Sequence, residues 1–437
     1  MLKSMIKPDS SGKNTKLTLG FMLIMLLALS TSLFATDYYI VSNAGSSVVN
    51  GTYVEDGQYF GKPEYAFGNY RIRFDNNEWA IMKPSDFGDD IYYTNPATSD
   101  TPPVTGWVQG DDGDLPVPDV TKPMVLEYNT NLSAGTTIEL PLYGNTVDVT
   151  VDWGDGNTDT YTSHGKQSHE YDSDGTYTVT IDGSLSQFGA TSTCTGVEAL
   201  TKVISFGDIG LTKLYYAFYN ATSLSEVPPT LPASITSLNT CFAGTDAESF
   251  PNLNKWDFSN VTDMGGMFWN NANFNQDIGD WDMSNVTIMS SMFSGATSFN
   301  QDISGWDVSN VTGFFGVFQD AESFNQDISG WDVSKATDMG KMFSETDNFN
   351  QDISGWYVGN VTNFIQMFYA ASFNQDIGKW DVSSATNMYA MFWDASNFDQ
   401  DLSGWNISNV TNMIGMFSSI TLSTANYDAI LNGWAAQ

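Results

Sequence analysis

The sequence predicts a multidomain chain in which small N-terminal β modules precede an α/β solenoid of about 25-residue repeats. Three observations carry this expectation. The phrase Phe-Asn-Gln-Asp-Ile starts at Phe274, Phe299, Phe324, Phe349 and Phe373, and returns as Phe398-Asp-Gln-Asp-Leu. A tryptophan stands seven residues after each start, at Trp281, Trp306, Trp331, Trp356, Trp380 and Trp405, and the steps between copies are 25, 25, 25, 24 and 25 residues. That is a period at which one supersecondary unit stacks on copies of itself. Ahead of the array, short apolar runs alternate with Gly, Asn and Asp clusters, the pattern of strands joined by turns.

The N-terminus reads as a signal peptide over residues 1–35. Lys3, Lys7, Lys13 and Lys16 form a basic region, Leu17 to Leu29 an apolar run, and Ser30 to Ala35 a small-residue cleavage site. A membrane anchor is the competing reading, because Leu17 to Ala35 is about long enough to span. No transmembrane helix is expected in the mature chain. Residues 37–108 read as a small β module, with Tyr38-Tyr-Ile-Val, Tyr70-Arg-Ile-Arg-Phe, Trp79-Ala-Ile-Met and Ile91-Tyr-Tyr as strands. Its aromatics suit a core better than a carbohydrate site, since strands need a packed face. Residues 109–121, rich in Gly, Asp and Pro, read as a linker.

In residues 122–184, Val147-Asp-Val-Thr-Val-Asp-Trp-Gly-Asp-Gly156 begins as a strand and ends in a tight turn. His169-Glu-Tyr and Gly175-Thr-Tyr-Thr-Val-Thr-Ile181 follow. This unit resembles the polycystic kidney disease (PKD)-type β-sandwich, with Trp153 where that family commonly has Phe. The resemblance implies a spacer or weakly adhesive module. His164 and His169 lack zinc-ligand spacing. Asp152, Asp155 and Asp159 suit turn hydrogen bonds, with calcium as the alternative.

Within one repeat, Phe299, Ile303, Trp306, Val308, Val311, Phe314, Val317 and Phe318 are apolar. Trp306-Asp-Val308 has period two and suits a short strand. From Val311 the spacing of three and four suits a helical turn, with Ser309-Asn310 as the cap between them. The Met267, Met292, Met342, Met367, Met391 and Met416 column reads as core. The Asn and Gln columns read as ladders between rungs. The Asp column (Asp277, Asp302, Asp327, Asp352, Asp376, Asp401) must be compensated, because like charges about 5 Å apart repel by roughly 0.8 kcal/mol even in water. Turn N–H groups are the preferred partners. Bound calcium is the alternative, which fails if EDTA leaves the melting temperature unchanged. The sequons at Asn260, Asn285, Asn310, Asn360 and Asn409 are products of the repeat phrase and read as capping structure.

The array over residues 190–420 resembles the BspA-type leucine-rich-repeat surface proteins, whose repeats read like Phe-Asn-Gln-Asp-Ile-Ser-x-Trp-Asp-Val-Ser-Asn-Val-Thr-x-Met-x-x-Met-Phe. Phe299 to Phe318 follows that phrase with Phe314 and Val317 in place of the methionines. The resemblance implies a leucine-rich-repeat-like solenoid on a cell surface, and some relatives are adhesins. A helix over residues 421–437 is expected to cap the stack, from Ser423-Thr424 and the spacing of Tyr427, Ile430, Leu431 and Trp434. Cys194 and Cys241 are read as buried thiols in preference to a bridge, because strands two rungs apart lie about 10 Å from each other.

For function, 16 Lys+Arg against 51 Asp+Glu gives a net charge of −35, which excludes phosphate-driven binding of nucleic acid. It also suits a screened exterior. No catalytic constellation and no metal motif stands out. The expectation is therefore a monomeric, secreted or cell-surface protein that is not an enzyme, has no cofactor, and binds an extracellular protein or glycan ligand. A structural surface-layer or matrix component is the alternative. A polysaccharide-degrading role, which needs two convergent carboxylates, comes third. The expected contacts are aromatics that break the repeat, Trp269, Tyr357, Tyr369, Tyr389 and Trp393, since aromatics dominate hot spots. Shielding of repeat edges is the competing use.

Overall fold

The computed structural model describes residues 38–42, 44, 49–59, 62–68, 70–75, 78–84, 90–97, 101–105, 107–110 and 119–437. The expected signal peptide and most of the expected linker lie outside them. The first sheet is an antiparallel meander of β1 (Tyr38–Ser42), β2 (Gly51–Tyr59), β3 (Lys62–Phe67), β4 (Tyr70–Asp75), β5 (Glu78–Lys83), β6 (Asp90–Asn95) and β7 (Val108–Gln109). Strand β8 (Asp119–Thr121) pairs antiparallel with β1 at its other edge. Alternation sends Tyr39 and Val41 inward from β1, Trp79 and Ile81 from β5, and Tyr53, Tyr65, Ile72 and Tyr93 from the strands between and beside them. Most aromatics of this sheet thus fill its own core, Phe67 being exposed.

The second sheet holds β9 (Met124–Asn129), β10 (Thr137–Asp152), β11 (Thr158–Tyr161), β12 (Gly165–Glu170), β13 (Thr176–Phe188) and β14 (Leu200–Ser205) in the order β11-β10-β13-β9-β14, with β12 also on β10. The expected two-sheet sandwich is corrected here: the pairing makes one six-stranded antiparallel sheet. The long β10 serves several neighbours. Thr137–Leu142 pairs with β12, Val149–Asp152 with β11, and β13 follows it across a register shift between Tyr143 and Val147. The Trp-Gly-Asp-Gly turn therefore joins two strands of the same sheet. A turn signature does not say which strand edges pair.

The α/β, leucine-rich-repeat-like solenoid is also corrected. Among the described residues the only α-helix is α1 (Thr424–Ala435), and the repeats hold no α-helix, only short 3-10 turns at Val197–Ala199 and Leu253–Lys255. Each rung instead runs through tight turns and forms one isolated parallel bridge with each neighbour, in the series Lys213, Ser237, Asp263, Ile288, Gly313, Asp338, Asn363, Asn387, Asn412. Two residues per rung have positive φ. One column is Tyr216, Thr240, Gly266, Ser291, Gly316, Lys341, Gln366, Ala390 and Gly415. The other lies four residues later, from Asn220 through Asp320 and Ala370 to Ser419. Left-handed residues interrupt any helix. The spacing of three and four that suggested one comes from successive turns, such as Met267 N–H to Met264 O, Trp269 N–H to Gly266 O and Asn271 N–H to Phe268 O.

These turns align the backbone along the stack. The amides of Phe364, Gln366, Phe368 and Ala370 donate to the carbonyls of Asn387, Tyr389, Met391 and Trp393 in the next rung, and the same foursome recurs down the array with few gaps. The threonine column donates the other way, as Thr287 Oγ1 does to Thr262 O (3.2 Å) and Thr362 Oγ1 to Thr337 O (3.2 Å). Inside, rings stack in register: Phe293 on Phe318 at 5.9 Å and 4°, Trp306 on Trp331 at 6.4 Å and 6°. The shortened repeat falls between Phe368 and Phe373, and those rings still stack at 4.2 Å.

Sheet and stack share one core, continuous from Met124 to Ile430. The parallel series begins on β13, where Gln187 bridges Lys213. Gly189 makes this approach possible: its φ is +132°, and a Cβ there would run into the Tyr215 carbonyl oxygen. Cys194 and Cys241 are separate buried thiols, and burial pushes the Cys194 pKa up to about 11. At the far end Ser423 caps α1 by accepting from Asn426 N–H. Of the apolar residues expected to face the stack, Ile430 is buried and Trp434 half-buried, whereas Tyr427 and Leu431 are about half exposed.

Candidate functional site

The repeated polar residues are committed to scaffold. Each carboxylate of the Asp column accepts from the N–H two residues on, as Asp302 does from Ser304 (3.0 Å), Asp327 from Ser329 (2.9 Å) and Asp376 from Gly378 (2.9 Å). A second column does the same, with Asp307 to Ser309 and Asp332 to Ser334, both 3.0 Å. Hydrogen bonds from the Ser side chain and backbone hold Asp302, Asp327 and Asp352 below the usual carboxylate range. Gln301 Nε2 donates to both Asn275 O and Asn275 Oδ1 at 2.9 Å, and later rungs repeat the clamp. The sequon asparagines Asn285, Asn310, Asn360 and Asn409 donate to the preceding rung's carbonyl at 2.7–2.8 Å.

The histidine and Asp turn of the second sheet is likewise structural. His169 stacks on Trp153 (4.6 Å, 8°) and bonds Asp155 at 2.8 Å, while Asp159 accepts from Trp153 Nε1 at 2.9 Å. Burial raises the Asp155 pKa, but hydrogen bonds from Asn157 and His169 outweigh it and hold the carboxyl low.

The groove lies where the second sheet meets the first rungs. A cavity of about 510 Å³ is lined by Tyr143 and Gln187 of the sheet and by Lys213, Tyr215, Thr236, Ser237, Thr262 and Asp263 of the stack. Asp263 is fixed by Ser237 Oγ (3.1 Å), Asn239 Nδ2 (3.0 Å) and Gly265 N–H (3.0 Å). Burial, with the charges of Tyr216 and Asp263, raises the Tyr215 pKa, so its hydroxyl stays a neutral donor. The groove therefore offers two aromatic walls, one ammonium and one oriented carboxylate. Tyr215, on its wall, starts an aromatic patch of ring contacts: Tyr215 meets Tyr216 (4.8 Å), Tyr216 meets Tyr219 (5.5 Å), and Tyr219 lies parallel to Trp269 (6.4 Å, 6°). Such a mix of apolar surface with a few fixed polar groups is the ordinary composition of a small-ligand site.

The five aromatics expected as contacts are not all together. Trp269 belongs to this patch. Tyr369 and Trp393 form a second pair at 6.5 Å in the same column of the rung, and Trp393 lies over Gly415. Tyr389 stands in the column of Tyr215 and is half-buried. Tyr357 is on a different turn, in the column of Asp307 and Asp332, and is 57% exposed. Sequence reasoning missed Tyr143, Lys213, Tyr215, Tyr216, Tyr219 and Asp263. A signal was present for the tyrosines: Leu214-Tyr-Tyr-Ala-Phe-Tyr219 sets three of them where other rungs carry mostly small or polar residues.

Among the described residues no three His, Cys, Asp or Glu side chains converge as a metal site, and no helix is long and apolar enough to cross a membrane. No curated protein and no solved structure matches the chain. Over residues 236–356 and 327–430 the chain matches the model of one family, so its turn-built stack is similar to that family's repeats: Mycoplasma protein of unknown function, DUF285.

Proposed function

We propose that this is a secreted or cell-surface binding protein, of the BspA-type adhesive kind, that presents its stack to an extracellular protein or glycan. The carrying observation is that aromatics which depart from the repeat gather beside a groove. Tyr216, Tyr219 and Trp269 extend, ring to ring, from Tyr215, which lines the groove with Tyr143. Sugar rings and peptide side chains both stack on such a surface, while Lys213 and the fixed Asp263 supply direction. One carboxylate lines the groove, which favours binding over hydrolysis by a carboxylate pair.

The test is a glycan and matrix-protein array probed with the full chain and with the double variant Tyr219→Ala/Trp269→Ala. Both residues are half-buried surface rings, so the melting temperature should hold. Binding to the strongest hit is expected to fall at least tenfold, about 1.4 kcal/mol. Equal binding by the variant defeats the assignment of this patch. An array without any hit defeats the adhesive reading itself.

A further inference from the structure

The stack ends in an unfinished edge. In the rung below the last, the amides of Met388, Ala390, Phe392 and Asp394 donate to the carbonyls of Asn412, Ile414, Met416 and Ser418. The corresponding amides of the last rung belong to Met413, Gly415, Phe417 and Ser419, and among the described residues none of them finds an acceptor. Helix α1 reaches this arc only through Trp434, which stacks on Phe417 at 6.1 Å; the rest of it covers a different arc, and does so by imitating the next rung. Asn426 Nδ2 clamps Asp399 O and Oδ1 at 2.8 Å, as Gln400 clamps Asn374. Trp434 Nε1 donates to Leu402 O at 3.0 Å, as Trp405 does to Ile377 O. The cap thus replaces the side-chain bonds of a further rung and leaves its main-chain bonds unmade.

Above these amides runs a groove of about 290 Å³ lined by Met413, Gly415, Met416, Phe417, Ser418 and Trp434. Beside it Ile414 is 72% exposed. Met388, Ala390 and Phe392 are buried one rung below, whereas Met413, Gly415 and Phe417 are only half-buried.

We infer that this arc is a docking edge for a polypeptide segment of another protein, one whose main-chain carbonyls line one side and whose apolar side chains fill the groove. Four aligned N–H groups at the positive end of a column of peptide dipoles call for carbonyl oxygens. Adding a segment to such an edge continues the pairing already made by every rung beneath it. A second copy of this chain does not fit. Edge to edge, donors would face donors. Head to tail, β13 and Gly189 already lie on half of the copy's first rung and block a second chain there, since Lys213 O accepts from Phe188 N–H and the Tyr215 carbonyl lies against Gly189.

The probe is a synthetic peptide with the sequence of residues 385–396, Ala-Thr-Asn-Met-Tyr-Ala-Met-Phe-Trp-Asp-Ala-Ser, which already forms this pairing within the stack. The readout is amide hydrogen exchange of the full chain. With excess peptide, exchange at Met413, Gly415, Phe417 and Ser419 should slow at least tenfold, while a scrambled peptide changes nothing. Ile414→Asp should raise the peptide's Kd at least tenfold with the melting temperature unchanged. Unaltered exchange at saturating peptide overturns the proposal. So does protection in the free protein: if lost on dilution it assigns the edge to a second copy, and if independent of concentration it assigns the edge to the chain itself.

Discussion

Each indole of the Trp column donates one rung back, Trp306 to Ile278 O, Trp331 to Ile303 O and Trp356 to Ile328 O at 3.0–3.1 Å. Trp281 is the exception: among the described residues its buried Nε1 has no partner. The rung beneath it carries a short 3-10 turn, Leu253–Lys255, in place of the Asp turn. A net buried hydrogen bond is worth about 1 kcal/mol. Trp331→Phe should therefore destabilise the protein by about 1 kcal/mol more than Trp281→Phe, read as a larger drop in the denaturant midpoint. The same scale shows what a residue column could reveal before folding. The Asp and Asn columns were legible because hydrogen-bond chemistry fixes what an exposed Asp before Gly or Ser can do. Asp263 was not, because its role depends on Ser237 and Asn239 one rung away.

At the scale of the rung, the period of 25 was legible and the conformation was not. Val311, Phe314, Val317 and Phe318 have helical spacing, yet Gly316 between them has a φ of +61°. Hydrophobic spacing reports which side chains share a core and leaves backbone handedness open. The residue variety in that column, from Gly and Ser to Lys, Gln and Tyr, concealed a shared left-handed state. Gly316→Val should test it. A Cβ there would press on the Ser291 hydroxyl at 3.3 Å, but valine and asparagine share that contact, so the difference between them is conformational. Valine should lower stability by about 1–2 kcal/mol relative to Gly316→Asn, because Asn tolerates this region and β-branched residues do not. Equal stabilities by chemical denaturation would show that the rung relaxes to another turn.

For the whole molecule, sheet and stack form one hydrophobic body with α1 at its far end. Deleting residues 421–437 would uncover Leu402 and Trp405, both now fully buried, and Phe417. Aggregation by light scattering is the expected result, as for a repeat array stripped of its cap; a soluble, monodisperse truncation would show that the last rung needs no cover. Both ends of the array speak the rung's own bonding language: β13 joins through the first bridge, and α1 closes with a borrowed Asn clamp and Trp bond. An insertion or loss of one 25-residue unit at the DNA level would therefore leave both termini fitted. Array length becomes something a lineage can change in single steps, setting how far the groove stands from the opposite edge without redesigning either.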